Sequence, residues 1–154
     1  MISPETLRKY SFFSFLKDAE FEKIAMIAEE VSYPAGETVF EIEAEAGFVY
    51  LLVDGEIDLH YSVVDSLISE KSKEFYVGNF DPGNPFGLSG LVAPYAYTAT
   101  CTASKDSKAI KVDAKKLLAL AEEDPKLGYA LMTKIAESAF ERLSRVRMEL
   151  VAAR

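Results

Sequence analysis

Apolar and polar positions divide the chain into helical periods at both ends and short, turn-separated apolar runs between them. From about Asp18 to Glu30 apolar residues recur three and four apart. Leu16, Phe21, Ile24, Ala25 and Ile27 or Ala28 form one stripe, which predicts a helix. Ahead of it, "SPETLRKY" offers Ser3 as an N-cap, Pro4 at the first helical position and Glu5 behind it, the marks of a short helix start. "YPAGE" then ends the helical pattern.

From there to Val112 the runs are short or alternating. Gly36, Asp54-Gly55, Gly78-Asn79, Asp81-Pro82-Gly83-Asn84 and Lys105-Asp106-Ser107 punctuate them, a spacing that predicts an antiparallel barrel or sandwich. Asp54-Gly55 between "FVYLLV" and "EIDLHYSVV" predicts a tight hairpin, because Gly accepts the positive φ such a turn needs. In the second run Ile57, Leu59, Tyr61 and Val63 form one face. Glu56, Asp58, His60 and Ser62 form the other, which places the single histidine toward solvent. The polar residues 65–73, "DSLISEKSK", predict an exposed hairpin tip.

The chain ends in helices. "DAKKLLALAEE" carries Leu117, Leu118 and Leu120, and Asp124-Pro125 supplies a cap and a first helical residue for another helix. No Gly or Pro follows Gly128, so this helix is expected to run to about Val151, roughly 40 Å at about 1.5 Å per residue. Leu127, Leu131, Ile135, Ala139, Leu143, Val146 and Leu150 fall on one of its faces. Packing on the chain's own barrel explains the first two turns. Beyond about Glu141 the helix overruns a compact barrel, so Leu131, Ile135, Ala139, Leu143, Val146 and Leu150 are the expected seam of a homodimer.

Composition narrows the function. The 154 residues suit one domain. Seventeen Lys plus Arg against twenty-five Asp plus Glu give a net charge of −8, which argues against nucleic acid as a partner. No apolar run approaches the roughly 20 residues that span a bilayer. "MISPETLRKY" lacks a basic region followed by an apolar core, so a cytoplasmic protein with no membrane partner is expected. Cys101 alone allows neither an internal disulfide nor a thiolate metal cluster; alternating with Ala99 and Ala103, it reads as a small core residue. The chain has no nucleophile elbow, P-loop, Rossmann or zinc-helix pattern, so no catalytic residue, metal or cofactor is expected.

One segment has the form of a phosphate cradle. "NPFGLSGLVAPYAYTATC", residues 84–101, reads as a Gly-containing turn, a short helix and an alternating strand, yet it carries no charge. Gly87 permits the turn, and the amides of Leu88, Ser89 and Gly90 open the short helix, with hydroxyls from Ser89 and Thr98 nearby.

This order of elements resembles the cyclic-nucleotide-binding domain family, the sensory half of catabolite-activator-like transcription regulators. "PAGETVFEIEAEAGFVYLLVDGEIDL", residues 34–59, is similar to the family's opening strands. "GNPFGLSGL", residues 83–91, resembles its Phe-Gly-Glu cassette entrance, and "YTATCTA", residues 97–103, its Arg-Thr-Ala-Thr-Val-x-Ala strand. The resemblance implies a single domain over 1–154, mostly β with flanking helices. Helices occupy 1–33, an antiparallel β-roll (a double-stranded β-helix or jelly-roll barrel) with a short cassette helix occupies 34–113, and C-terminal helices occupy 114–154.

The departures matter as much. The family's Glu accepts a hydrogen bond from the ribose and its Arg pairs with the cyclic phosphate; those positions are Leu88 and Tyr97 here. A buried phosphodiester without a cation costs several kcal/mol, so cyclic AMP or cyclic GMP bound in the usual way is not expected. The candidate site is Phe86, Gly87, Leu88, Ser89, Gly90, Tyr95, Tyr97 and Thr98. Either these residues line a pocket for an uncharged or weakly anionic, more apolar ligand, or Leu88 and Tyr97 fill it. Glu43-Ala44 replaces the family's Gly-Asp turn, and Glu41, Glu43 and Glu45 form a solvated loop or a cation-binding edge. The family's regulators continue into a winged helix-turn-helix, which is not expected after Arg154, and Arg142, Arg145 and Arg147 are expected to pair with Glu141 and Glu149. Two readings follow: a non-enzymatic sensor that signals to a protein partner, or a ligand-free interaction module.

Overall fold

In the computed structural model, which describes residues 1–64 and 72–154, the central runs pair into two antiparallel four-stranded sheets. The strands are β1 (Ala28–Tyr33), β2 (Thr38–Phe40), β3 (Phe48–Asp54), β4 (Ile57–Val64), β5 (Ser72–Phe80), β6 (Pro85–Phe86), β7 (Thr100–Ala103) and β8 (Ser107–Asp113). Their orders are β1-β8-β3-β6 and β2-β7-β4-β5, the interleaving of a β-roll. The helices are α1 (Pro4–Arg8), α2 (Asp18–Met26), α3 (Ala114–Glu123) and α4 (Pro125–Ala152), with short 3₁₀ turns at Ser11–Phe13 and Leu88–Leu91. Two compact units result, Met1–Leu117 and Leu118–Arg154.

In the first unit, Ser3 caps α1 by accepting the Glu5 N–H at 3.2 Å. Glu20 is buried, yet its carboxylate accepts the Lys17 N–H at 2.7 Å and so closes the first turn of α2. Helix α2 stops at Met26, short of the expected Glu30. Residues 28–33 instead pair with β8 from Ala28↔Val112 to Tyr33↔Ser107, because a ladder along a whole strand outweighs one more helical turn. The buried stripe is otherwise as expected: Leu16, Phe21, Ile24, Ala25 and Ala28 are all buried.

Strand β3 is buried on both sides, which its unbroken apolar run reflects. Tyr50 and Leu52 join Ile57, Phe80, Cys101 and Ala109 in the core between the sheets. Val49 and Leu51, on the opposite face, are buried as well. The β3–β4 hairpin turns at Gly55, whose φ is +94°; a Cβ there would lie 2.6 Å from the Asp106 carbonyl oxygen, so only Gly fits. The register of β4 with β5 shifts between Leu59 and His60. Beyond that shift the expected faces no longer hold: His60 is half-buried, 3.9 Å from Glu74, while Tyr61 is exposed. The expected hairpin tip, 65–73, lies outside the described residues except for Ser72 and Lys73, which begin β5.

In the second unit, α4 runs from Pro125 to Ala152, and the Asp124 carboxylate accepts the Lys126 and Leu127 N–H groups as its cap. Leu127 and Leu131 are buried within the single chain and Ile135 is half-buried. Ala139, Leu143, Val146 and Leu150 are exposed. Arg145 pairs with Glu141 one turn away, at 3.9 Å.

Candidate functional site

The cradle segment is fixed at both ends by backbone pairing. Phe86 lies opposite Tyr50 and Pro85 opposite Leu51 in the β3–β6 ladder. Gly87 takes φ +68°, the left-handed turn its position requires, and the 3₁₀ turn follows. After the turn the chain is zipped to the loop carrying the acidic run. The Tyr97 N–H donates to Ala44 O at 3.0 Å, the Glu43 N–H to Tyr97 O at 2.8 Å, and the Ala46 N–H to Tyr95 O at 2.8 Å. Tyr97 therefore has little freedom to leave its place.

Its side chain turns into the roll. Tyr97 is buried and stacks on Phe40 with ring centroids 3.6 Å apart. Tyr50 stacks on Phe86 at 4.9 Å, and Phe80 lies 5.4 Å from Phe86. Three of these rings, Phe40, Tyr50 and Tyr97, pack behind Gly87. A Cβ at Gly87 would stand 3.0 Å from the Tyr50 ring, 3.2 Å from Phe40 and 3.4 Å from Tyr97. The Tyr97 hydroxyl donates to Phe48 O at 2.8 Å and accepts from the Phe48 N–H at 3.4 Å. Burial pushes the phenol pKa of Tyr33, Tyr50 and Tyr97 above its usual 10.0, so each is a neutral hydroxyl.

The expected site residues part company in the structure. Phe86, Gly90 and Tyr97 are buried; Gly87, Leu88 and Ser89 are half-buried; Tyr95 and Thr98 are exposed. Phe40 and Tyr50 meet Gly87 beside Tyr97, and they were not singled out from the sequence. The alternation of "TVF" and "FVY" marks both as inward, without saying what they meet. Lys105 and Lys108 are exposed.

A cleft of about 660 Å³ adjoins the stack and shares Phe40, Tyr50 and Tyr97 with it. Tyr33, Phe40, Phe48, Tyr50 and Tyr97 form its aromatic wall. Glu41, Glu45, Lys111, Asp113 and Lys115 supply its charges. Of the eight residues expected to form the site, Tyr97 alone reaches this cleft. Among the described residues no cluster of three His, Cys, Asp or Glu is placed to hold a metal ion, so the acidic run forms no such cluster there. Among the same residues no helix is long and apolar enough to cross a membrane.

The comparisons agree with this architecture. The family model of the cyclic nucleotide-binding domain matches residues 30–124. A protein from Geobacter metallireducens GS-15 named for cyclic nucleotide binding is 35% identical with a TM-score of 0.80, the match covering 93% of this chain and 99% of that one. The N-terminal domain of a transcriptional regulator from Streptomyces coelicolor A3(2) is 23% identical over 88% of this chain and 92% of that one, with a TM-score of 0.66. The sensor domain of the transcriptional regulator DNR from Pseudomonas aeruginosa is 18% identical over 91% and 90%, with a TM-score of 0.70. The last two speak for the fold alone. Among curated proteins none matches.

Proposed function

This chain belongs to the cyclic nucleotide-binding domain family, and from that premise we propose a non-enzymatic regulatory module whose nucleotide cradle is filled by its own aromatic side chains. The observation that carries this reading is the Tyr97–Phe40 stack at 3.6 Å, set against Gly87. The position from which the family's Arg reaches a cyclic phosphate is taken by a neutral phenol committed to the Phe48 backbone. Leu88 offers a ribose hydroxyl no acceptor. Cyclic AMP and cyclic GMP therefore lack both a counter-charge and space at the cradle.

Output runs through α4. The exposed residues Leu143, Val146 and Leu150 fall three and four apart, and burying each such side chain stabilises an interface by about 1.5–3 kcal/mol. A second copy is the occupant that a repeated helical seam fits, and the dimer presents its surface to a protein partner.

Thermal melts of the purified chain with each cyclic nucleotide in excess test the reading. A ligand held only by the folded state raises the melting temperature, and no rise is expected. A saturable rise that Leu88→Glu enhances and Tyr97→Ala abolishes overturns it.

A further inference from the structure

Helix α4 shows more apolar surface than one seam covers. The large apolar side chains most exposed on it are Tyr129, Phe140, Met148 and Val151, at 78%, 72%, 71% and 71%, and none of them belongs to the expected seam. Tyr129, Phe140 and Val151 follow one another at steps of eleven residues, close to three full turns at about 3.6 residues per turn, so they stand nearly in line. Met148 lies beside the line, three residues before Val151. Counting about 100° per residue, the line runs roughly 100° round the helix from Val146 and Leu150, with Leu143 at the border between them. A two-stranded seam takes up only a narrow a/d stripe. A second copy seated on Val146 and Leu150 therefore leaves the line in water.

The unmatched charges along the line are of one sign. Lys126 precedes Tyr129 by three residues, Arg147 precedes Val151 by four and Arg154 follows it by three, spacings that set each beside the line. Among the described residues none of these three enters an ion pair. The acidic residues that border the line are matched, Glu137 by Lys134 at 3.4 Å and Glu141 by Arg145 at 3.9 Å. In a chain whose net charge is −8, this face thus presents positive charge around an apolar line.

We infer that this face of α4 docks an amphipathic helix of a partner protein. The partner's apolar stripe lies on Tyr129, Phe140 and Val151, and its flanking Asp or Glu side chains meet Lys126, Arg147 and Arg154. The docking rests on α4 being the output element, as proposed above, and requires the helix face and not the dimer.

Fluorescence anisotropy of a labelled peptide of about three heptads, leucine at a and d and glutamate at e and g, titrated with the full chain, tests the face. The glutamates keep the peptide from pairing with itself, and a counterpart with lysine for every glutamate is the control. Saturable binding of the acidic peptide and not of the basic one is expected. Phe140→Ser and Arg147→Ser, both at exposed positions, should each weaken it by about threefold to tenfold, with circular dichroism unchanged. Val146→Lys, on the seam, should leave it within about twofold. No saturable binding of the acidic peptide, equal binding of both peptides, or unchanged affinity in both line variants overturns the docking. So does loss of binding through Val146→Lys alone, which places the peptide on the seam, or a parent assembly larger than a dimer by light scattering, which covers the line with further copies. A monomeric parent that binds the acidic peptide removes the dimer and keeps the docking.

Discussion

Tyr97 and Phe40 lie face to face, their ring centroids 3.6 Å apart and their planes inclined by 10°. The two residues come from different parts of the sequence, one from the cassette and one from β2, so their stack joins the cradle to the roll.

Tyr97→Phe keeps that stack and removes the hydroxyl that serves the Phe48 carbonyl and N–H. The loss leaves a half-buried carbonyl without this donor, at a cost of about 1–3 kcal/mol. Urea denaturation should show that loss with an unchanged m-value.

Two glycines separate backbone strain from ring contact. Gly83 has φ +93° and nothing within 4 Å of a Cβ, so Gly83→Ala should cost about 1–2 kcal/mol from conformation alone. Gly87→Ala adds the approach to the Tyr50, Phe40 and Tyr97 rings and should cost about 1–3 kcal/mol more. Equal costs by chemical denaturation would show that the rings yield freely.

Val146→Lys and Leu143→Asp place charge on the exposed stripe of α4. Light scattering should give a dimer for the parent chain and a monomer for both variants, with helicity retained by circular dichroism. A monomeric parent at high micromolar concentration removes the seam.

Alkaline pH should destabilise the fold. The phenols of Tyr33, Tyr50 and Tyr97 have pKa values raised above 10.0 by burial, so the folded chain keeps protons that the unfolded chain releases. The sign follows: their contribution is fully present below pH 10 and is lost as pH climbs through the raised values. Melting temperatures should fall from about pH 10 upward, and Tyr97→Phe should flatten that fall.

The parts of the fold written in local chemistry were legible. Ser3-Pro4, Asp54-Gly55 and Asp124-Pro125 each satisfy backbone groups within a few residues, and each sits where the sequence placed it. Residues 28–30 read as helix because their apolar spacing fits one, while the pairing that claims them lies on β8, some eighty residues away. The cradle divides in the same manner. The replacement of Arg by Tyr97 is visible in a single motif; its stack on Phe40 depends on how two sheets meet. Sequence alternation gives which way a side chain points, and the packing across the roll gives what it touches.

A diffusing ligand surrenders translational freedom each time it is captured, so its occupancy tracks its concentration. Rings tethered to the backbone face no such cost: Phe40, Tyr50 and Tyr97 crowd Gly87 at any solute level. On the reading proposed above, a chamber that could gauge a solute becomes a fixed structural block, and a change of state is then driven from another surface of the molecule.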